Sequence, residues 1–136
     1  RYAKGPKPWL RDPSDSLARI VRRRRNMQKA LAVASLASGF GGRAREAGFL
    51  TNDGFAGFSA FDPKGDYAAD FESYLASPGS RHLVMCHPGE IDDELKAIDP
   101  VVETRPLELA FLMGDRCQEL TAAAGLSLGR LRPLAS

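Results

Sequence analysis

The chain is short of the residues that build several common kinds of site. Its 136 residues contain two cysteines and two histidines. Cys86 and Cys117 sit in apolar surroundings and lack the spacing of a metal site. A reduced cytoplasmic setting is expected rather than a disulfide scaffold, with pairing of the two left open. The formal net charge of +2 is too small to draw a polyanionic partner. No apolar run approaches the roughly 20 residues that span a bilayer, and no signal-peptide pattern is visible. There is no P-loop, no dinucleotide fingerprint, no Gly-x-Ser-x-Gly and no zinc spacing. Internal repeats and low-complexity tracts are absent too.

What is there reads as one globular domain, or part of one. Apolar content of 43% and charged content of 26% are ordinary values, and this length suits a single core. The first residue is Arg1, and prolines at 6, 8 and 13 make residues 1–13 an extended loop. A piece of something longer is the expectation.

Helix and strand signals alternate along the chain. Ser14 or Asp15 caps a helix over Ser16–Ser38, with Leu17, Ile20, Val21, Met27, Leu31, Ala34 and Leu36 at helical spacing. Gly39, Gly41 and Gly42 loosen it, and Arg43–Ala47 adds a turn before Gly48. Phe49–Thr51 is a short strand, Asn52-Asp53-Gly54 a turn, and Phe55–Phe61 a glycine- and aromatic-rich loop or strand. Asp66 opens a helix over Tyr67–Ala76. Arg81–Cys86 is the best strand, followed by an acidic stretch with a helical turn near Asp92–Ile98. Thr104 caps a long helix to about Ala124, with Pro106 in its first turn. Leu126–Leu131 is a last strand, stopped by Arg132-Pro133. The order predicts an α/β protein with parallel strands joined by crossover helices. Three parallel strands make a poor independent sheet, so half of a larger α/β fold is expected.

The feature richest in chemistry is Leu83-Val84-Met85-Cys86-His87-Pro88-Gly89. An apolar run ends on a histidine, and Pro-Gly stops the strand. In α/β proteins ligands bind at the carboxyl ends of strands, where an imidazole can act as acid, base or ligand. A histidine satisfied by backbone at a strand terminus is the competing reading, and the motif alone does not separate the two. Arg105 and Glu108 lie on adjacent turns of the next helix and could converge on the same rim. On the residues alone, a solvated pair bonded to each other is the simpler account. Thr51–Phe58 could share the rim, with Phe55 and Phe58 stacking on a sugar face and Asp53 accepting a hydrogen bond. The competing reading is a turn whose phenylalanines fill the core. His82 receives no role. Arg22-Arg23-Arg24-Arg25 could meet phosphates, but four consecutive arginines wrap around a helix, so a solvated face is favoured over a nucleic-acid module.

Taken together, three motifs resemble a known family. Thr51–Phe58, His82–Gly89 and Arg105-Pro106-Leu107-Glu108-Leu109 resemble, in order and spacing, the C-terminal half of the YdjC-like carbohydrate deacetylases. That family includes chitooligosaccharide deacetylases and hopanoid-biosynthesis-associated members. Leu10–Pro13 and the helix after it look like its middle region. Gly54, where many members carry a bulkier residue, and Glu90, where an aromatic is expected, depart from the pattern.

The resemblance implies the C-terminal half of a distorted (β/α) barrel that removes N-acetyl groups from amino sugars or glycolipid head groups. It implies a divalent metal, magnesium or zinc, held by an aspartate and two histidines of N-terminal motifs that this sequence does not contain. No metal ligand is therefore assigned here, and the chain alone is expected to bind none and to be inactive. His87 matches the His-Pro-Gly histidine, the acid for the leaving amine. Arg105 matches an arginine that orients the catalytic aspartate. Asp53, Phe55, Phe58, Pro88, Gly89 and Glu108 fall on the substrate side. Self-association, or association with the N-terminal half, is expected, without nucleic acid and without a transmembrane segment. The alternative function is a non-catalytic carbohydrate-binding or regulatory remnant.

Overall fold

In the computed structural model, which describes residues 7–131, local caps and tertiary bonds divide the chain into short elements. The first six residues of the proline-rich segment, and Arg132-Pro133, lie outside the described residues. Helix α1 covers Leu17–Arg23 and starts where the Ser16 hydroxyl accepts the Arg19 N–H. The single helix expected over Ser16–Ser38 is in fact two. Arg24 (φ 55°) and Asn26 (φ 44°) adopt the left-handed conformation, and helix α2 restarts at Met27–Leu36. A tertiary bond accompanies the break: the Asn26 amide donates to the Phe58 carbonyl. Asparagine tolerates that backbone region better than most residues. The long apolar stripe is split with the helix. Ile20 and Ala30 are buried, while Leu17, Val21 and Leu36 are exposed. Helix α3, Phe40–Glu46, ends before Gly48, in line with the glycine signal.

One parallel βαβ unit forms the centre. Strand β1 (Phe55–Ala56) pairs in parallel with β2 (Leu83–Val84). Helix α4 (Tyr67–Tyr74) joins them, capped by the Asp66 carboxylate on the Ala69 N–H. Single bridges extend the ladder, Leu10 with Thr51 in parallel and Asp53 with Arg81 antiparallel. The two strands lie unusually close at Gly57. Its φ is +99°, and an added Cβ would lie 2.0 Å from the Met85 carbonyl oxygen, so only glycine fits.

Asn52-Asp53-Gly54 is not a turn. Asn52 is buried, and its amide receives the Asp12 N–H and donates to the carbonyls of Asp12 and Gly54. The side chain thus ties a neighbouring backbone segment to the strand, and the bridges at Thr51 and Asp53 lead on to β1, with Gly54 at φ +92° just before it.

Helix α5 (Asp93–Ile98) is capped by Asp92, whose carboxylate accepts the Leu95 N–H. The long helix expected from Thr104 is also two. Helix α6 spans Arg105–Met113 and α7 spans Asp115–Ala123, with Gly114 extended between them. The break rotates the apolar face. Phe111, Cys117 and Leu120 pack inward with Ala56, Phe71, Tyr74 and Leu75, whereas Leu107 is exposed. The Phe71 and Phe111 rings meet at 5.0 Å, and Tyr67 meets Phe111 edge-on at 5.2 Å. Leu126–Leu131 forms no strand: the Leu126 N–H caps α7 by donating to the Thr121 carbonyl, and Leu128 is exposed. The architecture is mixed α/β, with two parallel strands and seven helices among the described residues. Among the described residues no helix is long and apolar enough to cross a membrane.

Candidate functional site at the carboxyl ends of the parallel strands

The β2 chain runs past Met85, whose N–H still donates to the Ala56 carbonyl, and ends at His87. The His87 N–H donates to Glu108 Oε2 at 2.5 Å, and Glu108 is only 1% exposed. The pair expected between Arg105 and Glu108 does not form. Arg105 instead ion-pairs with Asp99 and also donates to the Val101 carbonyl. The Val101 N–H, and then the Arg105 guanidinium, hold the Asp99 carboxyl below its ordinary range. Two residues after His87, the Gly89 N–H donates to the Arg105 carbonyl. Helix α6 thereby grips both ends of His-Pro-Gly.

The His87 imidazole meets the Phe61 ring edge-on at 5.1 Å, and its Nδ1 is buried with no hydrogen-bond partner. The hydroxyls of Tyr67 and Thr104 are likewise buried without partners. Burial, and next the Glu108 carboxylate, push the Tyr67 phenol far above its usual range. The same two causes raise the Cys86 thiol. Cys86 and Cys117 are both unpaired thiols.

The substrate-side residues expected beside His87 are only partly brought together. Pro88 is exposed and Gly89 partly so, both next to it. Phe58 is partly exposed and packs its ring against Phe55 at 5.4 Å. Phe55 itself is 2% exposed, a core residue with no face free to stack. Glu108 has no ligand-accessible surface and is committed to the His87 main chain. Asp53 lies at the other end of the strands: it precedes β1 and bridges Arg81, which precedes β2. In a parallel pair both residues sit at the amino ends and His87 at a carboxyl end, so the shared rim expected for Asp53 is not formed. Its carboxylate accepts from Arg19 and from Ser80, and these bonds lower its pKa to about 2.

Sequence reasoning missed three residues of structural consequence. Phe61 faces His87, although only its place after a strand hinted at that. Asp99 anchors Arg105, and the signal was an acid within two turns of the helix start. Arg23 is a buried hub, donating to Asp15 and to the carbonyls of Phe55, Ala76 and Ser77. Arg25 pairs with Asp70. The four-arginine run is therefore divided between interior and surface and forms no stripe. His82 Nε2 lies 2.9 Å from the Tyr74 carbonyl, and burial lowers its pKa.

The donor set does not fit the implied metal. Among the described residues no three His, Cys, Asp or Glu side chains converge to hold one. Glu108 and Asp99, the carboxylates tied to the His87 segment, are committed to the His87 N–H and to Arg105.

No curated protein and no solved structure gives a significant match to the chain. A family model described as YdjC-like protein matches residues 2–123, and the chain belongs to that family, which is related to carbohydrate deacetylases.

Proposed function

We propose that this chain is the C-terminal portion of a single (β/α)-barrel carbohydrate N-deacetylase and supplies its acid. The substrate class is an N-acetylated amino sugar or glycolipid head group. One observation carries the reading: His87 ends a strand with its backbone clamped by buried Glu108, while its ring bonds to no described residue. A histidine serving only as a strand terminator has no need of so fixed a main chain or of a ring left uncommitted.

Amide hydrolysis needs an activated water, a stabilised oxyanion and a proton for the departing nitrogen. A divalent metal supplies the first two when bound. Its ligands are not among the described residues, and the proposal places them in a segment preceding this one in the complete enzyme. His87 supplies the third requirement: Nε2 delivers the proton to the leaving amine as the C–N bond breaks. Phe61 fixes the tilt of the ring. Arg105, whose guanidinium pairs with Asp99, is assigned in this reading to orient a carboxylate brought by the metal-binding segment. Pro88 and Gly89 form the surface beside the reacting group. The exposed apolar residues of α1, Leu17 and Val21, belong in this reading to the contact with the rest of the barrel.

The test is His87→Ala in the complete enzyme, with acetate release from N-acetylated chitooligosaccharides measured beside bound metal. Turnover falls about 10²–10⁴-fold, the range of a lost general acid, and metal content is unchanged. Turnover near that of the parent protein returns His87 to a structural role, whereas a complete protein that binds the sugar but releases no acetate favours a non-catalytic carbohydrate-binding function.

A further inference from the structure

We propose that the amino ends of the same strands carry a second site, which binds a small ligand through an oxyanion, a phosphate ester or a carboxylate. An open cavity of about 470 Å³ lies there, walled by Asn52, Asp53, Ser80, Arg81, Arg19 and Arg45 among others. That volume is in the range of small-molecule sites, but the wall is polar and charged, which selects a polar ligand. It is distinct from the His87 region. Six residues of extended chain separate Arg81 from His87, up to about 20 Å at 3.3 Å per residue.

The charges in this wall do not cancel residue by residue. Asp15 and Asp53 are neutralised by Arg19, and Asp15 also by Arg23. Asp12, 8% exposed, turns its carboxylate to the N–H and hydroxyl of Ser14. Arg45 and Arg81 remain. Neither makes an ion pair among the described residues. Arg45 donates once, to the Thr51 hydroxyl. The Arg81 Nε–H is buried with no acceptor at all. That N–H is closed to the cavity, but the outer nitrogens of the Arg81 guanidinium bond to no described residue, and a planar fork of donors matches a carboxylate or phosphate. Arg45, with one hydrogen bond, and Arg81, in no ion pair, leave guanidinium donors in the cavity wall that an oxyanion would satisfy.

Titration of the full chain with inorganic phosphate, followed by amide chemical shifts at low salt, tests this. Saturable shifts are expected at Asn52, Gly54, Ser80 and Arg81, and raised chloride weakens them. Acetate and glucose are run in parallel. Stronger binding of phosphate than acetate assigns a phosphate ester, the reverse order assigns a carboxylate, and glucose produces no shift. Arg81→Met, with an unchanged amide spectrum elsewhere, weakens binding at least tenfold, and Arg81→Lys restores part of it. Should Arg81→Met fail to fold, Arg45→Met on the exposed rim reads the same loss. Absence of saturable binding by either anion overturns the assignment. So does equal binding by the parent and by both methionine variants.

Discussion

Arg23→Met isolates the largest single electrostatic commitment in the fold. The Arg23 side chain is 5% exposed and its partner Asp15 is 3% exposed, at 2.7 Å. Removing one member of a buried ion pair costs about 3–5 kcal/mol, because the other is left charged and underpaired. Here Asp15 keeps the Arg19 guanidinium at 3.3 Å and the N–H groups of Ser16 and Phe55, which favours the lower part of that range. The carbonyls of Phe55, Ala76 and Ser77 lose donors at the same time, which raises the cost again at roughly 1 kcal/mol for a typical net bond. A loss of about 4 kcal/mol is expected. That is a large share of the 5–15 kcal/mol typical of a domain.

Urea denaturation followed by circular dichroism measures it. With a slope of about 2 kcal/mol per molar, the midpoint falls by about 2 M. Arg22→Met and Arg24→Met change exposed residues of the same run and should stay within about 0.5 kcal/mol. Asp15→Asn combined with Arg23→Met should cost less than the sum of the two single changes, since the pair then disappears together. Arg23→Lys should recover little, because one ammonium cannot span a carboxylate and three carbonyls. A loss under 1 kcal/mol for Arg23→Met, indistinguishable from Arg22→Met, would refute the hub.

Gly57→Ala should destabilise by more than the roughly 1–3 kcal/mol of its positive φ alone, because the new Cβ meets the Met85 backbone. A thermal midpoint equal to the parent's would show that the strands can separate there at no cost. Acid should expose the Asp53 pair. Its folded pKa of about 2 lies below the ordinary 3.8, so its contribution is complete above about pH 4 and is lost as the pH falls toward 2. At 44% exposure the effect is small and sensitive to salt. Thermal midpoints between pH 5 and 2 should fall less steeply for Asp53→Asn, and identical slopes would discard the pair as a source of acid sensitivity.

Local chemistry was legible in the sequence, and tertiary chemistry was not. Asp66 and Asp92 announce α4 and α5 because a cap needs only the next three residues. The breaks at Arg24–Asn26 and at Gly114 escape a periodicity argument. At the first, the Asn26 amide bonds a carbonyl 32 residues away. Asn52 misleads for a related reason. Asn-Asp-Gly is a turn signal when the asparagine bonds only its own neighbourhood, whereas this one bonds Gly54 and also reaches Asp12, 40 residues away. Reading a turn there placed a strand end before Asp53 and so put Asp53 on the His87 rim. With Thr51 and Asp53 already bridged ahead of β1, that end moves to Gly57–Phe58, and Phe61 faces the imidazole in its place.

The two motifs that looked separate in sequence are one clamp in structure. Between His87 and Gly89 the backbone has only two N–H donors, because Pro88 has none. Both are taken by one turn of α6: His87 by the Glu108 carboxylate, Gly89 by the Arg105 carbonyl. Three helical residues rise about 4.5 Å, while two extended residues span about 6.6 Å. A backbone carbonyl at one position and a reaching carboxylate at the other bridge that difference. An Arg-x-x-Glu start therefore suits a His-Pro-Gly strand end on geometry alone, whatever the ligand. Burial of the Glu108 carboxylate keeps water from competing for the His87 N–H. It follows that a change at Glu108 acts on the position of the imidazole before it acts on anything bound beside it.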